Sequence, residues 1–429
     1  MLKVNVQMND RADDAKDDAR HAALAGIRVV DMSGWGGQYC GKQFVNLGAE
    51  VVLVEAIEGS SVRRDGPFID GRVGAEHGIP FAYYNAGKRS IAMNLDSEEG
   101  QSIFRRLIRN ADLLIESEKP GVMAARGLDF ASLSKIAPRL VMTSITPFGQ
   151  TGPYANYESE DIVTLALGGL LYLGGYADMP TAVHGNQAYL SAAQFASVAS
   201  MMGLLAVEAA PGSAAGRHID VSIQECVVMG METAIQFYDL EKSVRTRGTG
   251  QLSMAGVGVF GCVDGEIYLM AGGIASSRFW ESTANWLIEQ GVAEAAQLLD
   301  EKWSSHDYLA TSEARRIFNS LFQPFAAKQA KLDLYEAGQA RRIPICPVRT
   351  PKDILESRQL AYRKFFVPQR HEQTGRIMSV PGAPYRLTAT PWAAAAPSPR
   401  LGEHTADILS ELGYDAAARA ALLKLRAIN

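Results

Sequence analysis

The chain has 429 residues, 47% of them hydrophobic, and a formal net charge of -5; this is length enough for two or three domain cores, and bulk charge gives no reason to expect a nucleic-acid surface. Its four cysteines (Cys40, Cys226, Cys262 and Cys346) lack CxxC spacing and its seven histidines form no HxxxH or HExxH pair, which argues against a local metal motif and for a reduced, cytoplasmic setting. No apolar run reaches the roughly 20 residues of a membrane span, and the acid-rich residues 1–25 are unlike a signal or transit peptide and read as a mobile tail.

GIRVVDMS (26–33) predicts a buried strand, followed by the glycine-rich loop GWGGQYCG, a helical QFVNLG and a second strand, EVVLVE, ending at Glu55. Gly34 and Gly36 begin a dinucleotide-type GxGxxG with an acid about 20 residues on, but Tyr39 occupies the third glycine position and breaks the fingerprint. The glycines are then read as places where another group approaches the backbone. RSIAMNL, DLLIES and LVMTSIT continue as strands, with SEEGQSIFRRLIRNA and FASLSKIA as helices between them. Strict alternation predicts a doubly wound, mostly parallel α/β sheet, whose ligands lie at the carboxyl ends of the strands. Those ends carry SGWGG (33–37), ESEKPG (116–121) and TPFGQTGPY (146–154), which one crevice should gather.

From Asp161 the segments DIVTLALGGLLYLGG and LSAAQFASVASMMGLLAVEAA are apolar and rich in small residues, suited to tight packing inside a protein or between subunits. GRHIDVSIQECVVMGM reads as a strand and a helix. GVFGCVDGEIYLMAGG (258–273) has hairpin character around Asp264-Gly265, and helices carrying Trp280, Trp286 and Trp303 follow, as in a smaller α+β unit. Apolar strand signals return in IPICPVRT and PGAPYRLT before a last helix, EHTADILSELG.

The strings GIRVVDMS, LGAEVVLVE, YYNAGKRSIAMNL, ADLLIESEKPGV, ITPFGQTGPY, AGRHIDVSIQE, IPICPV and PGAPYRL with PRLGEHTADIL, kept in this order from about residue 26 to 413, resemble the family III CoA-transferases, which include the α-methylacyl-CoA racemases. The resemblance implies a Rossmann-like large domain made by both chain ends (26–222 and 335–429), a smaller α+β domain (223–334) and an obligate, interlocked dimer. It implies coenzyme A and acyl-CoA as substrates, with no tightly bound cofactor, metal, nucleic acid or membrane. CoA carries phosphates, so its site calls for cations and backbone donors. Trp35, Gly36, Gly37, Lys88, Arg89, Ser117 and Arg126, with Glu118 beside Ser117, are the positions the resemblance assigns to it. ESEKPG and GVMAARGL depart from relatives' ENFRPG and GVLERLGL, placing Ala125 at an arginine position with Arg126 one step later.

The family's catalytic aspartate stands just before a small-residue helix, in strings such as ADYLAG. Its carboxylate attacks the donor thioester to give a mixed anhydride and CoA thiolate; the thiolate attacks back to form an enzyme-bound thioester, and the acceptor acid repeats the cycle in reverse. The matching string here is NQAYLSAA, with Ala188 at the aspartate position, and there is no Asp or Glu between Pro180 and Glu208. The racemase histidine corresponds to Glu160, followed by Asp161, so both members of that acid–base pair are changed and racemization is disfavoured. Glu160 and Asp161 are candidate relocated acids, set against a capping role at DIVTLA; His184 and Cys40 are weaker substitutes. The resemblance therefore points to a non-catalytic or impaired subunit whose homologous partner carries the aspartate, moving CoA between carboxylic acids, with succinyl-CoA and an aromatic-substituted succinate such as benzylsuccinate as candidate substrates. The alternatives are a self-sufficient acyl-CoA transferase or isomerase with a relocated acid, and a CoA-binding scaffold.

Overall fold

The apolar runs become a six-stranded parallel sheet: β1 (Arg28–Asp31), β2 (Glu50–Glu55), β3 (Arg89–Ala92), β4 (Leu113–Glu116), β5 (Val141–Thr146) and β6 (Arg217–Ser222), ordered β3-β2-β1-β4-β5-β6. The computed structural model describes residues 22–176, 178–210, 212, 215–247, 254–272 and 277–429. Every residue of β4 and β5 is buried, the polar Glu116, Thr143, Ser144 and Thr146 included, so neither strand shows the alternation of a half-exposed one. Successive side chains supply opposite faces. Val30, Val52, Ile91, Leu114 and Met142 pack with Ile103, Phe104 and the C-terminal Ile408 and Leu409, while Val29, Val51, Leu113, Val141 and Ile145 pack with Phe44, Ala192 and Ala196.

The connecting helices are α1 (Gln38–Asn46), α2 (Glu98–Ile108), α3 (Asp161–Leu167) and α4 (Gln187–Glu208), with α5 (Ile223–Val228) directly after β6. Against the expectation that no apolar run reaches membrane length, α4 is long and apolar enough to cross one. It lies against β5 and β6 through a face of small residues, Ala188, Ala192, Ala193, Ala196, Ser200 and Gly203. At Gly203 an added Cβ would lie 2.9 Å from a Val141 methyl, so the small-residue face is the condition for this close approach.

Two buried ion pairs fix the carboxyl side of the sheet. The Lys88 ammonium donates to Asp31 Oδ2 (2.7 Å), the Gln38 carbonyl (2.8 Å) and Asn85 Oδ1 (2.9 Å). A Cβ at Gly41 would collide with the Asp31 carboxylate, so α1 must be bare there. Arg63 makes a two-pronged pair with Glu55 (2.6 and 2.8 Å) and donates to the Pro399 carbonyl (3.1 Å). The C-terminal return then covers the edge strand β3: Ala92 N–H donates to Thr405 Oγ1 and Gly402 N–H to Ser90 Oγ. This hides an edge that would otherwise offer unpaired backbone groups.

By its contacts the chain divides into residues 1–171, 182–244 and 364–429 as one unit and 172–181 with 245–363 as the other. This division has its limits at 244/245 and 363/364, where the sequence reading drew them at 222/223 and 334/335. Val227 of α5 is buried in the same core as Leu165 and Ala193, which keeps 223–244 with the large sheet. In the small unit β7 (Val257–Cys262) and β8 (Gly265–Met270) form the expected hairpin, its two turn residues being Val263 and Asp264, and IPICPV contributes β9 (Ile345–Val348), antiparallel to β8. PGAPYRLT contains no large-sheet strand: Ile377–Pro381 pairs only with Phe366–Arg370. Trp280, Trp286 and Trp303 are all buried, Trp280 and Trp303 stacked at 5.0 Å. Of the expected tail, residues 1–21 lie outside the described residues, and Leu24 N–H donates to the Leu47 carbonyl at 2.9 Å.

Removing one partner of a buried pair leaves the other charge uncompensated. Lys88→Met should lower unfolding stability by about 3–5 kcal/mol. Arg89→Ala should cost under about 1 kcal/mol, because its ion pairs are partly exposed. Urea unfolding of both variants measures the contrast.

Candidate active site at the carboxyl edge

The strand order reverses between β1 and β4, and the loops leaving these two strands meet. Gly34 N–H donates to Ser117 Oγ at 2.8 Å. A Cβ at Gly36 would lie 3.3 Å from Ile223 and one at Gly37 3.2 Å from Ile145, so the loop runs close over the ends of β5 and β6. Trp35 stands beside it, its indole N–H on Asp65 and its ring edge-on to Tyr84. In the third loop Gln150 N–H donates to the Asp220 carboxylate of β6, and beyond that loop Glu158 pairs with Lys119 of the ESEKPG turn. Thr146 Oγ1 and Gln150 Nε2 near the end of β5 are buried without hydrogen-bond partners. Trp35, Gly36, Gly37 and Ser117 are therefore brought together.

The cations are placed otherwise. Lys88 is buried with its donors given to Asp31, Gln38 and Asn85, leaving none for a phosphate. Arg89 begins β3 and so sits on the amino edge, held by Glu50 (2.7 Å) and Glu411 (2.6 Å). Arg126 does reach the carboxyl side and lines a cavity of about 320 Å³ with Met32, Glu55, Glu58, Asp96 and Glu118. Its guanidinium is paired with Asp96 (2.9 Å) and Glu118 (3.3 Å). A cavity with four carboxylates and one paired arginine is a poor host for phosphates.

Ala188 is 1% exposed and belongs to the apolar core shared with Leu165 and Ala192. Asp161 lies beside it: Oδ1 accepts from Tyr189 N–H at 2.9 Å, so this carboxylate caps α4, not the helix it begins. Burial raises its pKa, against the lowering effect of the Tyr189, Ala188 and Gln187 amides. Glu160 is exposed at the N-cap of α3 and makes no side-chain cap bond there. His184 is exposed, and the Cys40 thiol is fully buried with its pKa pushed up to about 12, first by desolvation, so it is not a ready thiolate.

Glu116 went unnoticed in the sequence, although an acid ending a wholly apolar strand is a signal. It is 2% exposed, its carboxylate accepts from Glu118 N–H (2.7 Å), and it thereby shapes the ESEKPG turn. Desolvation, reinforced by Glu118 and Asp220 and opposed by Ser144, pushes its pKa up from 4.5 to about 7. A carboxyl raised in the native state binds more protons there than in the unfolded chain, so its contribution to stability falls as pH rises from 4.5 through 7. Glu116→Gln should remove that decline; urea midpoints at pH 5 and 7.5 should show the variant gaining on the parent as pH rises, whereas parallel profiles contradict the assignment.

Residues 24–405 match the model of CoA-transferase family III. The chain is 38% identical, over 94% of its length and 97% of the relative's, to the BbsE subunit of succinyl-CoA:(R)-benzylsuccinate CoA-transferase from Thauera aromatica. It is 29% identical, over 92% and 96%, to succinate–glutarate CoA-transferase from Agrobacterium fabrum. A solved CAIB/BAIF family protein from Brucella suis superposes with a TM-score of 0.79 at 27% identity, covering 91% of this chain and all of that one. With the family model and the 38% identical relative both matching along nearly the whole length, the chain belongs to CoA-transferase family III.

Proposed function

We propose that this chain is the aspartate-free subunit of a heteromeric CoA-transferase, assembled with a homologous subunit that carries the nucleophile. The observation that supports the reading is the burial of the Ala188 methyl group, at the position to which the resemblance assigns the family's carboxylate. A methyl group forms neither the mixed anhydride nor the enzyme thioester, because both are acyl derivatives of the nucleophile itself. The partner's aspartate performs those steps, and CoA leaves and returns as thiolate at that site. In this chain Trp35, Gly36, Gly37 and Ser117 keep the form of the family's CoA-facing edge, while the paired Arg126 and its acidic surroundings weaken its hold on phosphates.

An obligate partner also accounts for the outer face of α4. Phe195, Val198, Met202 and Leu205 recur at helical spacing and are 43 to 65% exposed, an apolar stripe of the kind that marks an interface. The interlocked arrangement of the family would cover it. The similarity to a benzylsuccinate CoA-transferase subunit favours succinyl-CoA as donor and an aromatic-substituted succinate as acceptor. The reading places the protein in the cytoplasm, where its cysteines, all free, stay reduced.

The rival is a self-sufficient enzyme using Asp161, which lies next to Ala188. Loss of a nucleophile costs on the order of 10⁴-fold or more in turnover. Purified alone, the chain should show no succinyl-CoA-dependent transfer, and adding the homologous subunit should restore it. In the assembled enzyme Asp161→Asn should reduce turnover by less than about tenfold, since the side chain only caps a helix. Turnover by this chain alone, abolished by Asp161→Asn, contradicts the proposal.

A further inference from the structure

Away from the carboxyl-edge crevice, α1, α4 and the C-terminal segment enclose a cavity of about 480 Å³, within the size range of small-molecule sites. Its walls include Tyr39, Tyr83, Met201, Tyr385 and Trp392, with Lys42 and Asn46 one helical turn apart on α1. Lys42 is 3% exposed. Its ammonium lies 4.4 Å from the centre of the Tyr83 ring, and among the described residues it has no hydrogen-bonded or ion-paired partner. The Asn46 side-chain oxygen, on the same wall, is buried without a donor. Buried charges are ordinarily paired, as Lys88 and Arg63 are in this same unit. Burial, with Lys88 nearby, lowers the Lys42 pKa to about 8, which still leaves it mostly protonated at neutral pH.

We infer that this cavity binds a small aromatic carboxylic acid, its carboxylate on the Lys42 ammonium and its ring among Tyr83, Tyr385, Trp392 and Met201. A buried cation without a counter-charge selects an anion, and the aromatic and thioether walls select a flat apolar body in place of a hydrated inorganic ion. Asn46 offers an acceptor for a hydroxyl or amide on the same ligand. The site lies two to four turns along α4 from Ala188, and the inference stands whichever chain carries the nucleophile. Val198 and Met202, on its open side, also belong to the stripe assigned above to the partner, so the test uses the assembled protein.

Calorimetry with phenylacetate and its uncharged counterpart phenylacetamide reads the site directly. The carboxylate should bind at least about tenfold more tightly than the amide, corresponding to about 1.4 kcal/mol. Lys42→Met, which keeps the apolar stem, should erase the difference, and Lys42→Arg should retain most of it. Equal binding of the two probes by the parent protein, or no binding because the partner fills the cavity, overturns the inference even where the Met variant fails to fold. Loss of transferase activity with the probe preference intact would strike at the proposed function instead and leave this site standing.

Discussion

The Asp31–Lys88 ion pair is the contact on which the functional half of the large unit depends. Asp31 ends β1 and Lys88 closes the loop before β3; their bond at 2.7 Å, with Gln38 and Asn85 attached, joins the glycine loop, the start of α1 and the edge of the sheet. Asp31 also accepts from Ser33 N–H and Oγ, which sets the path of the chain into Gly34 and hence toward Ser117. Buried ionic groups of this kind favour one arrangement over its alternatives more than they add net stability. Here the arrangement specified is the meeting of the β1 and β4 loops, and the same charge bears on Lys42 from behind.

What the pair positions is the carboxyl edge where the β1 and β4 loops meet. The glycine loop still approaches the ends of β5 and β6 closely, and unpartnered polar atoms remain at Thr146 and Gln150. Yet Arg126 on this side is held by two carboxylates, and Ala188 contributes to packing. Asp161 shows how a carboxylate can lie next to the reactive position and be occupied in holding the helix start. On the proposed reading, this chain keeps the sheet edge and leaves the acyl chemistry to its partner.

The strands were legible because a parallel sheet buried on both faces leaves short apolar runs such as VVLV, and VMTSIT, though half hydroxyl residues, is rich in β-branched side chains. The unit boundary was not, because IPICPV reads as a strand whether it pairs with the large sheet or with the small hairpin; pairing is decided by partners far away in sequence. Lys88 and Arg89 looked like a free cationic pair because the sequence does not show that Asp31, 57 residues earlier, and Glu411, 322 residues later, engage them. They are adjacent in sequence, yet one ammonium is buried on the carboxyl side and one guanidinium lies on the amino edge. Ala188 draws notice only through the family likeness, since an alanine opening an alanine-rich helix carries no signal of its own. Lys42 was hidden for the opposite reason: a lysine on a surface-type helix reads as solvated until the fold covers it.

The central claim is that acyl chemistry takes place on the partner and not on this chain. Mass spectrometry of the assembled enzyme, treated with succinyl-CoA and quenched with hydroxylamine, tests it most directly, because only the carboxylate that forms the acyl intermediates becomes a hydroxamate. The account predicts a single modified aspartate on the homologous partner and none on this chain. A hydroxamate at Asp161 or Glu160 would contradict it.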